Sequence, residues 1–393
     1  MNRATLSTIP ESNQNWWAVL GMSLGAFALV SSEFMPVSLL TPIAGDLHST
    51  EGQAGLAISF SGAFALLTSL FISTIARSMD RKILLLFLTF VVIVSGTIVA
   101  LASNYGVFMI GRALIGIAIG GFWSMSAATA MRLVSEEHIP RALAIVNGGN
   151  ALATVIAAPL GSYLGGIIGW RGAFFTVVPV AALTFLWLFI SLPSMKVASA
   201  NATKNVLTLL KSNKVALGMA AVSVFFMGQF TLFTYLRPFL ESATGASVSI
   251  LSLILLVMGV AGFIGTVIIG AFLKNHLYRT LIFIPLLMSV IAIGLMLLGS
   301  GLYMTITLLG IWGLLGTAAP AAWWTWLAKT LPDDAEAGGG LFVAIVQLAI
   351  TGGATLGGIL FDLSGYMATF SLSAFLLLLA SFLAYLTAKL SQS

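Results

Sequence analysis

Long apolar runs, interrupted at short intervals by a few polar residues, repeat along the whole chain. They fall at 16–44, 51–76, 82–102, 105–131, 138–164 and 171–192, and again at 214–240, 247–273, 280–299, 303–329, 338–361 and 366–388. Each reaches or exceeds the roughly 20 residues that a helix, rising about 1.5 Å per residue, needs to cross a bilayer. The pattern predicts an all-α integral membrane protein with twelve transmembrane helices. One long polar connection, PSMKVASANATKNVLTLLKSN at 193–213, separates the first six from the last six. The expected organisation is an N-terminal six-helix bundle (1–192), a cytoplasmic linker (193–213) and a C-terminal six-helix bundle (214–393). A weak repeat favours duplication, because Leu164-Gly165-Gly166 recurs as Leu356-Gly357-Gly358, 192 residues later. The first run is too long for a signal-peptide core and no small-residue cleavage site follows it, so it is read as a retained helix.

Composition sharpens this picture. The chain of 393 residues is 59% hydrophobic and 7% charged, with a mean hydropathy of +1.07, whereas a soluble domain is about 25% charged. It has no cysteine, which excludes disulfides and thiolate metal sites, and its three histidines fall in predicted loops, so no metal site is expected. With the N-terminus inside, fourteen of the seventeen basic residues fall on the cytoplasmic side. Only Arg171 and Arg237 fall outside, and Arg112 remains within a span. That asymmetry places both termini in the cytoplasm. No G-x-x-x-x-G-K-[ST], H-E-x-x-H or G-x-S-x-G motif occurs. The chain is therefore read as a non-enzyme without cofactor, driven by an ion gradient.

Two charges in the apolar runs carry the candidate chemistry. Arg112 lies about 10 Å below Tyr105 on helical rise, and an arginine in hydrocarbon costs at least about 2.5–3.5 kcal/mol. Gly116, Ile119, Trp123 and Ser126 share its face, and Gly116 and Gly120 permit a close-packed neighbour. Glu33 is the one carboxylate clearly inside a span, at a depth near that of Arg112. A buried carboxylate near an arginine meets the requirement for a proton carrier. A static ion pair tying two spans is the alternative. Pro36 frees backbone carbonyls beside it.

Further candidates are less specific. Asp80 and Arg81 sit in the compact turn ARSMDRK, able to latch helix ends. The run ALAIVNGGNALATVIAAPLGSYLGG carries Asn147 and Asn150 as possible ligands, with Pro159, Gly161 and Gly165 as packing or hinge positions. Phe226, Gln229, Trp312, Trp323 and Gln347 complete an aromatic and amide set. Such surfaces suit a planar, hydrogen-bonding solute, although packing is an equal reading of each.

These residues resemble a known family. ARSMDRK resembles the loop motif between the second and third spans of major facilitator proteins, with its leading glycine replaced. GRALIGIAIGG resembles their fourth-span motif, which implies a role for Arg112 in proton transfer. AAPLGSYLGG resembles the fifth-span motif of the drug:proton antiporter branch, which implies efflux. EFMPVSLLTPIA, GGFWSMSA and GQFTLFTYLRP are similar to the bacterial purine ribonucleoside efflux pumps, with sugar-efflux transporters close behind. The resemblance implies a bacterial inner-membrane antiporter exchanging a small solute for protons. It is expected to be a monomer with no nucleic-acid partner. Export of sugars or drugs, hence drug resistance, is the alternative to nucleosides.

Overall fold

The computed structural model describes residues 15–75, 79–196, 206–331 and 335–392. Among them every regular element is helical: α1 (Trp16–Asp46), α2 (Glu51–Ile75), α3 (Arg81–Ala100), α4 (Tyr105–Met131), α5 (Ile139–Phe175), α6 (Val177–Ser191), α7 (Asn213–Phe233), α8 (Leu236–Thr244), α9 (Val248–Leu298), α10 (Leu302–Thr330) and α11 (Ala335–Gln392). Short polar residues start several of them, as orphan N–H groups require. Asn15 accepts from the Ala18 amide at 3.0 Å, Asp80 from Lys82 at 2.8 Å and Asn104 from Val107 at 3.0 Å.

Nine helical stretches among the described residues are long and apolar enough to cross a membrane. Three of these, Arg141–Ser191, Val248–Leu298 and Gly338–Ser391, run 51, 51 and 54 residues. At about 1.5 Å per residue such a stretch would be more than twice as long as hydrocarbon is thick. Each is broken near its middle, at Gly169 (φ 75°), His276 (φ −131°) and Gly365 (φ 71°). Glycine tolerates the left-handed backbone that reverses the chain at two of the breaks. The breaks fall inside the connections expected at 165–170, 274–279 and 362–365, each reduced to a single non-helical residue. Conversely, the run at 214–240 is two helices, because the chain leaves helical geometry at Tyr235 (φ −102°, ψ 19°) and Pro238 offers no amide to continue α7.

Side chains bury into two hydrophobic cores. One gathers residues from Ala18 to Met195 together with Tyr235, and the other gathers residues from Val215 to Ala384 together with Val37, Ile58 and Ala158. Close approach in the first core depends on missing side chains. A Cβ on Gly116 or Gly120 would collide with the α2 backbone at Ser61 or Ala65, and one on Gly149 with α1 at Ser23. The large apolar side chains left outside, such as Ile190, Leu297 and Val267, match a hydrocarbon environment.

The bundle has two ends. The start of α1, the end of α11, Asp80 and the His276 break lie at the near end; the α1–α2 turn, Gly169, Tyr235 and Gly365 lie at the far end. At the far end Arg171 pairs with Asp46, donates to the Ala102 carbonyl at 2.8 Å, and stacks 4.3 Å over Trp170.

Candidate functional site

Residues 32–38 of α1 are where the two cores meet. Proline at position 36 removes the amide that would pair with the Ser32 carbonyl four residues earlier. An unpaired carbonyl in an apolar interior costs about 1–3 kcal/mol. Arg112 supplies the missing donor. Its Nη1 donates to the Ser32 carbonyl at 2.7 Å and its Nη2 to the Glu33 carbonyl at 2.9 Å. The rest of the guanidinium reaches α2, with Nε on the Ala57 carbonyl at 3.2 Å and Nη2 on the Ser61 hydroxyl at 3.1 Å. The side chain is fully buried. One arginine on α4 therefore holds α1 and α2 by their backbones.

The static ion pair, the alternative to proton carriage, is not formed in this structure. Arg112 feels the Glu33 charge, but its donors go to carbonyls and a hydroxyl, and no carboxylate lies in salt-bridge reach of it among the described residues. Glu33 is itself buried at 7% exposure. From the second half of the chain Gln347 of α11 interacts with the carboxyl, while its Nε2 completes no hydrogen bond. Next to it Phe34 stacks on Phe230 of α7 at 5.7 Å and meets Phe233 edge-on at 6.4 Å.

The other candidates divide by position. Gln229 donates weakly to the Gly316 carbonyl at 3.4 Å and leaves its Oε1 without a partner. Trp312 is 1% exposed with its indole N–H unpaired. Buried donors and acceptors left open in this way can receive a ligand's polar groups. Trp323 and Phe226 are core residues, packed around Phe225 at 6.5 Å and 5.3 Å between ring centres. Trp123 and Asn150 are half-buried, whereas Asn147 is exposed and bonds the Leu143 carbonyl of its own helix at 2.9 Å. Around these, the near-end parts of α4 and α5 expose small or polar residues, Ser124, Ala127, Asn147 and Gly148.

Gly161 and Gly165 face α1, where added methyls would press on Ser38 and Leu39. Pro159 lines an apolar groove of about 450 Å³ between α5 and α9, with Tyr163, Ser252 and Leu256. Asp80 is engaged within its own half, accepting from the Met195 amide at 2.9 Å and from the Ser194 hydroxyl. Arg81 follows it and donates its amide to the Met195 carbonyl at 3.2 Å. The first part of that turn, 76–78, lies outside the described residues.

Three polar positions at the far end escape a reading of the pattern. Arg237, assigned to the outer side by charge counting, is buried between α8 and α1, pairs with Glu241 at 2.8 Å and donates to the Ser38 carbonyl. Tyr235 is wholly buried, donates to the Ala354 carbonyl at 2.7 Å and stacks on Phe361 at 5.3 Å. Asp362 of α11 accepts the Gly52 amide at 2.9 Å and the Thr50 hydroxyl at 2.6 Å. The available signal was Pro42, which orphans the Ser38 carbonyl just as Pro36 orphans that of Ser32. Farther in, Ser59 of α2 donates to the Thr351 carbonyl at 3.0 Å and accepts from Thr355 at 2.9 Å.

Two helical cores joined along hydroxyl- and glycine-lined seams, with charges buried at the junction, are the build of a multi-pass membrane transporter. The chain belongs to the Major Facilitator Superfamily, which matches residues 22–351. It is 60% identical to the transcription regulatory protein OpdE of Pseudomonas aeruginosa, over 98% of this chain and 97% of that one. It is also 39% identical to the purine ribonucleoside efflux pump NepI of Salmonella paratyphi B, over 93% and 92%. Among solved structures it is similar in fold to a bacterial homologue of the human lysosomal transporter Spinster in an inward-facing, unoccupied conformation. That match has a TM-score of 0.77 at 16% identity and covers 95% and 97% of the two chains. The human organic anion transporter MFSD10 matches with a TM-score of 0.65 at 16% identity, over 96% and 100%.

Proposed function

We propose that the chain is a proton-coupled exporter of purine ribonucleosides, working as a monomeric antiporter by alternating access in the bacterial inner membrane. In this reading the six single stretches and three broken pairs make twelve spans, grouped as 1–192 and 214–393 around the linker 193–213, with both termini cytoplasmic. The observation that carries it is Glu33. It is buried at the junction of the two cores, beside an arginine whose donors are already committed to backbone. An unpaired carboxylate is costly in such a place, so taking up a proton when the solute leaves removes that cost. Arg112 then fixes α1 and biases the Glu33 charge. Gln229, Trp312 and Gln347 offer an acceptor and two donors to a nucleobase and ribose; Trp123, Asn150, Phe226 and Trp323 form aromatic and amide walls, with Asn147 at the near-end mouth. Asp80, Arg81, Pro159, Gly161 and Gly165 serve the conformational change. The 39% likeness to a named nucleoside efflux pump supports the substrate class.

A pH-jump flux experiment in proteoliposomes tests this, with labelled inosine, arabinose and a neutral antibiotic in parallel. Inosine moving against its gradient in exchange for protons is the expected result, and Glu33→Gln is expected to abolish uphill movement while leaving exchange down a gradient. Uphill inosine transport by Glu33→Gln at the parent rate would overturn the assignment of Glu33. Proton-linked movement of arabinose or the antibiotic alone would replace the substrate with a sugar or a drug. A second reading comes from the 60% relative, whose name is that of a regulator. A receptor that kept the fold would bind inosine and give no flux of any of the three.

A further inference from the structure

The far-end closure uses backbone groups that the sequence itself leaves open. Pro42 has no amide, so the Ser38 carbonyl of α1 lacks its helical donor. At the start of α2 the Gly52 amide is one of the orphan donors that every helix start presents. Each of these groups, one on α1 and one on α2, is completed by a charged side chain from the other core. Arg237 of α8, buried and held at its Nε by Glu241 at 2.8 Å, donates Nη1 to the Ser38 carbonyl. Asp362 of α11 accepts the Gly52 amide at 2.9 Å. Both sites lie at the far end, and both bonds cross between α1–α2 and the second core.

We propose that Arg237 and Asp362 are a two-point latch that holds the far end shut, Arg237 taking the carbonyl freed by Pro42 and Asp362 capping α2. The inference rests on the alternating-access reading, in which the far end must open for release. Charge-assisted bonds to backbone suit a latch. They are stronger than neutral ones, and when the halves part each freed group, on the chain or on the charged side chain, can be met by water. Arg237 acts on the position of α1 and touches no substrate in this scheme. A buried arginine spent only on fold stability would instead be needed wherever α1 is helical, whatever the residue at 42. The carbonyl of Ser38 distinguishes the two roles, because an alanine at position 42 returns its amide donor.

The chain contains no cysteine, so paired labels report cleanly. Leu101→Cys and Tyr303→Cys are 75% and 86% exposed at the far end, one on each half. Spin labels at this pair, in liposomes without substrate, are expected to give one short-distance population. Arg237→Gln and Asp362→Asn should each raise a longer-distance population on the order of ten-fold, the size expected for losing one hydrogen bond to a charged group. In a Pro42→Ala background Arg237→Gln should have little further effect, while Asp362→Asn should keep its own. Unchanged distance distributions in folded Arg237→Gln and Asp362→Asn would overturn the latch, as would an undiminished effect of Arg237→Gln with Pro42→Ala. If Arg237→Gln does not fold, the exposed Asp362→Asn decides alone. Distances are read without flux, so widening in variants of a protein that moves no solute would uphold the latch and reject the transport reading. Flux by the parent with unmoved distances would do the reverse.

Discussion

Arg112 makes four hydrogen bonds to α1 and α2, three of them to carbonyls. Lysine has the same charge but a single ammonium on a flexible stem, without the planar fork that serves two helices at once. Arg112→Lys should therefore leave one or two buried carbonyls unpaired at about 1–3 kcal/mol each. The expected outcome is a lower Tm in detergent than the parent, with part of the loss recovered by Pro36→Ala, since residue 36 then has an amide for Ser32. Equal thermal stability of Arg112→Lys and the parent would show that the backbone bonds do not hold the site together. Glu33 and Arg112 were legible in the sequence because charge is so rare in its apolar runs. Their arrangement was not, since residue type suggests an ion pair and says nothing of carbonyls. Arg237 was missed for the opposite reason. It stands near the end of a run beside Pro238, where a positive charge reads as an outer loop, and only the structure shows the Ser38 carbonyl waiting for it.

At the scale of the element, capping side chains fix several helix starts. Asp80 is the clearest, since it caps α3 and also grips the segment after α6 through Ser194 and Met195. Burial disfavours its charge, but the Ser194 hydroxyl, the Met195 and Lys82 amides and Lys196 outweigh that and hold its carboxyl below the usual range. Because the folded value is lowered, the contribution is fully present above about pH 4, the ordinary aspartate value. It is lost as pH falls through the lower folded value. Asp80→Ala should cost about 0.5–2 kcal/mol near neutrality, as lost helix caps do, and should flatten the stability profile below pH 4. Denaturation between pH 2 and 7 checks both, and a variant profile parallel to the parent's would remove Asp80 from this role. Helix extents were readable from the apolar runs, as for α1, α2 and α4, because hydrocarbon thickness dictates length. The turns were readable in place but not in form. The breaks at 169, 276 and 365 fall inside the connections expected at 165–170, 274–279 and 362–365, in or beside which Arg171, Lys274, Asn275, Arg279, Asp362 and Ser364 punctuate the chain, yet each is a single non-helical residue rather than a loop.

On the scale of the molecule, the charge asymmetry and the closed far end make one joint claim about sidedness. Among the described residues the basic ones gather at the end where α1 starts, α11 ends and Asp80 lies, and the rule that positive loops stay inside would face that end to the cytoplasm. The far end, where Arg237 and Asp362 bond across to α1 and α2 and Tyr235 packs into the first core, would then face outward, and the exposed Ser124, Asn147 and Gly148 would face the cytoplasm. An exporter at rest is expected to present its site to the side from which it loads, so these two observations support each other. Single cysteines make the claim measurable. In intact cells a membrane-impermeant maleimide should label Leu101→Cys and Tyr303→Cys at the far end, and should reach Lys389→Cys and Asn147→Cys only after permeabilisation. Labelling of Lys389→Cys from outside would invert the topology and make the basic end external. With the expected topology, prompt labelling of Asn147→Cys in intact cells would mean that the resting protein is open outward. The far-end bonds would then belong to a minority state, and export would have to begin from the other side of the cycle.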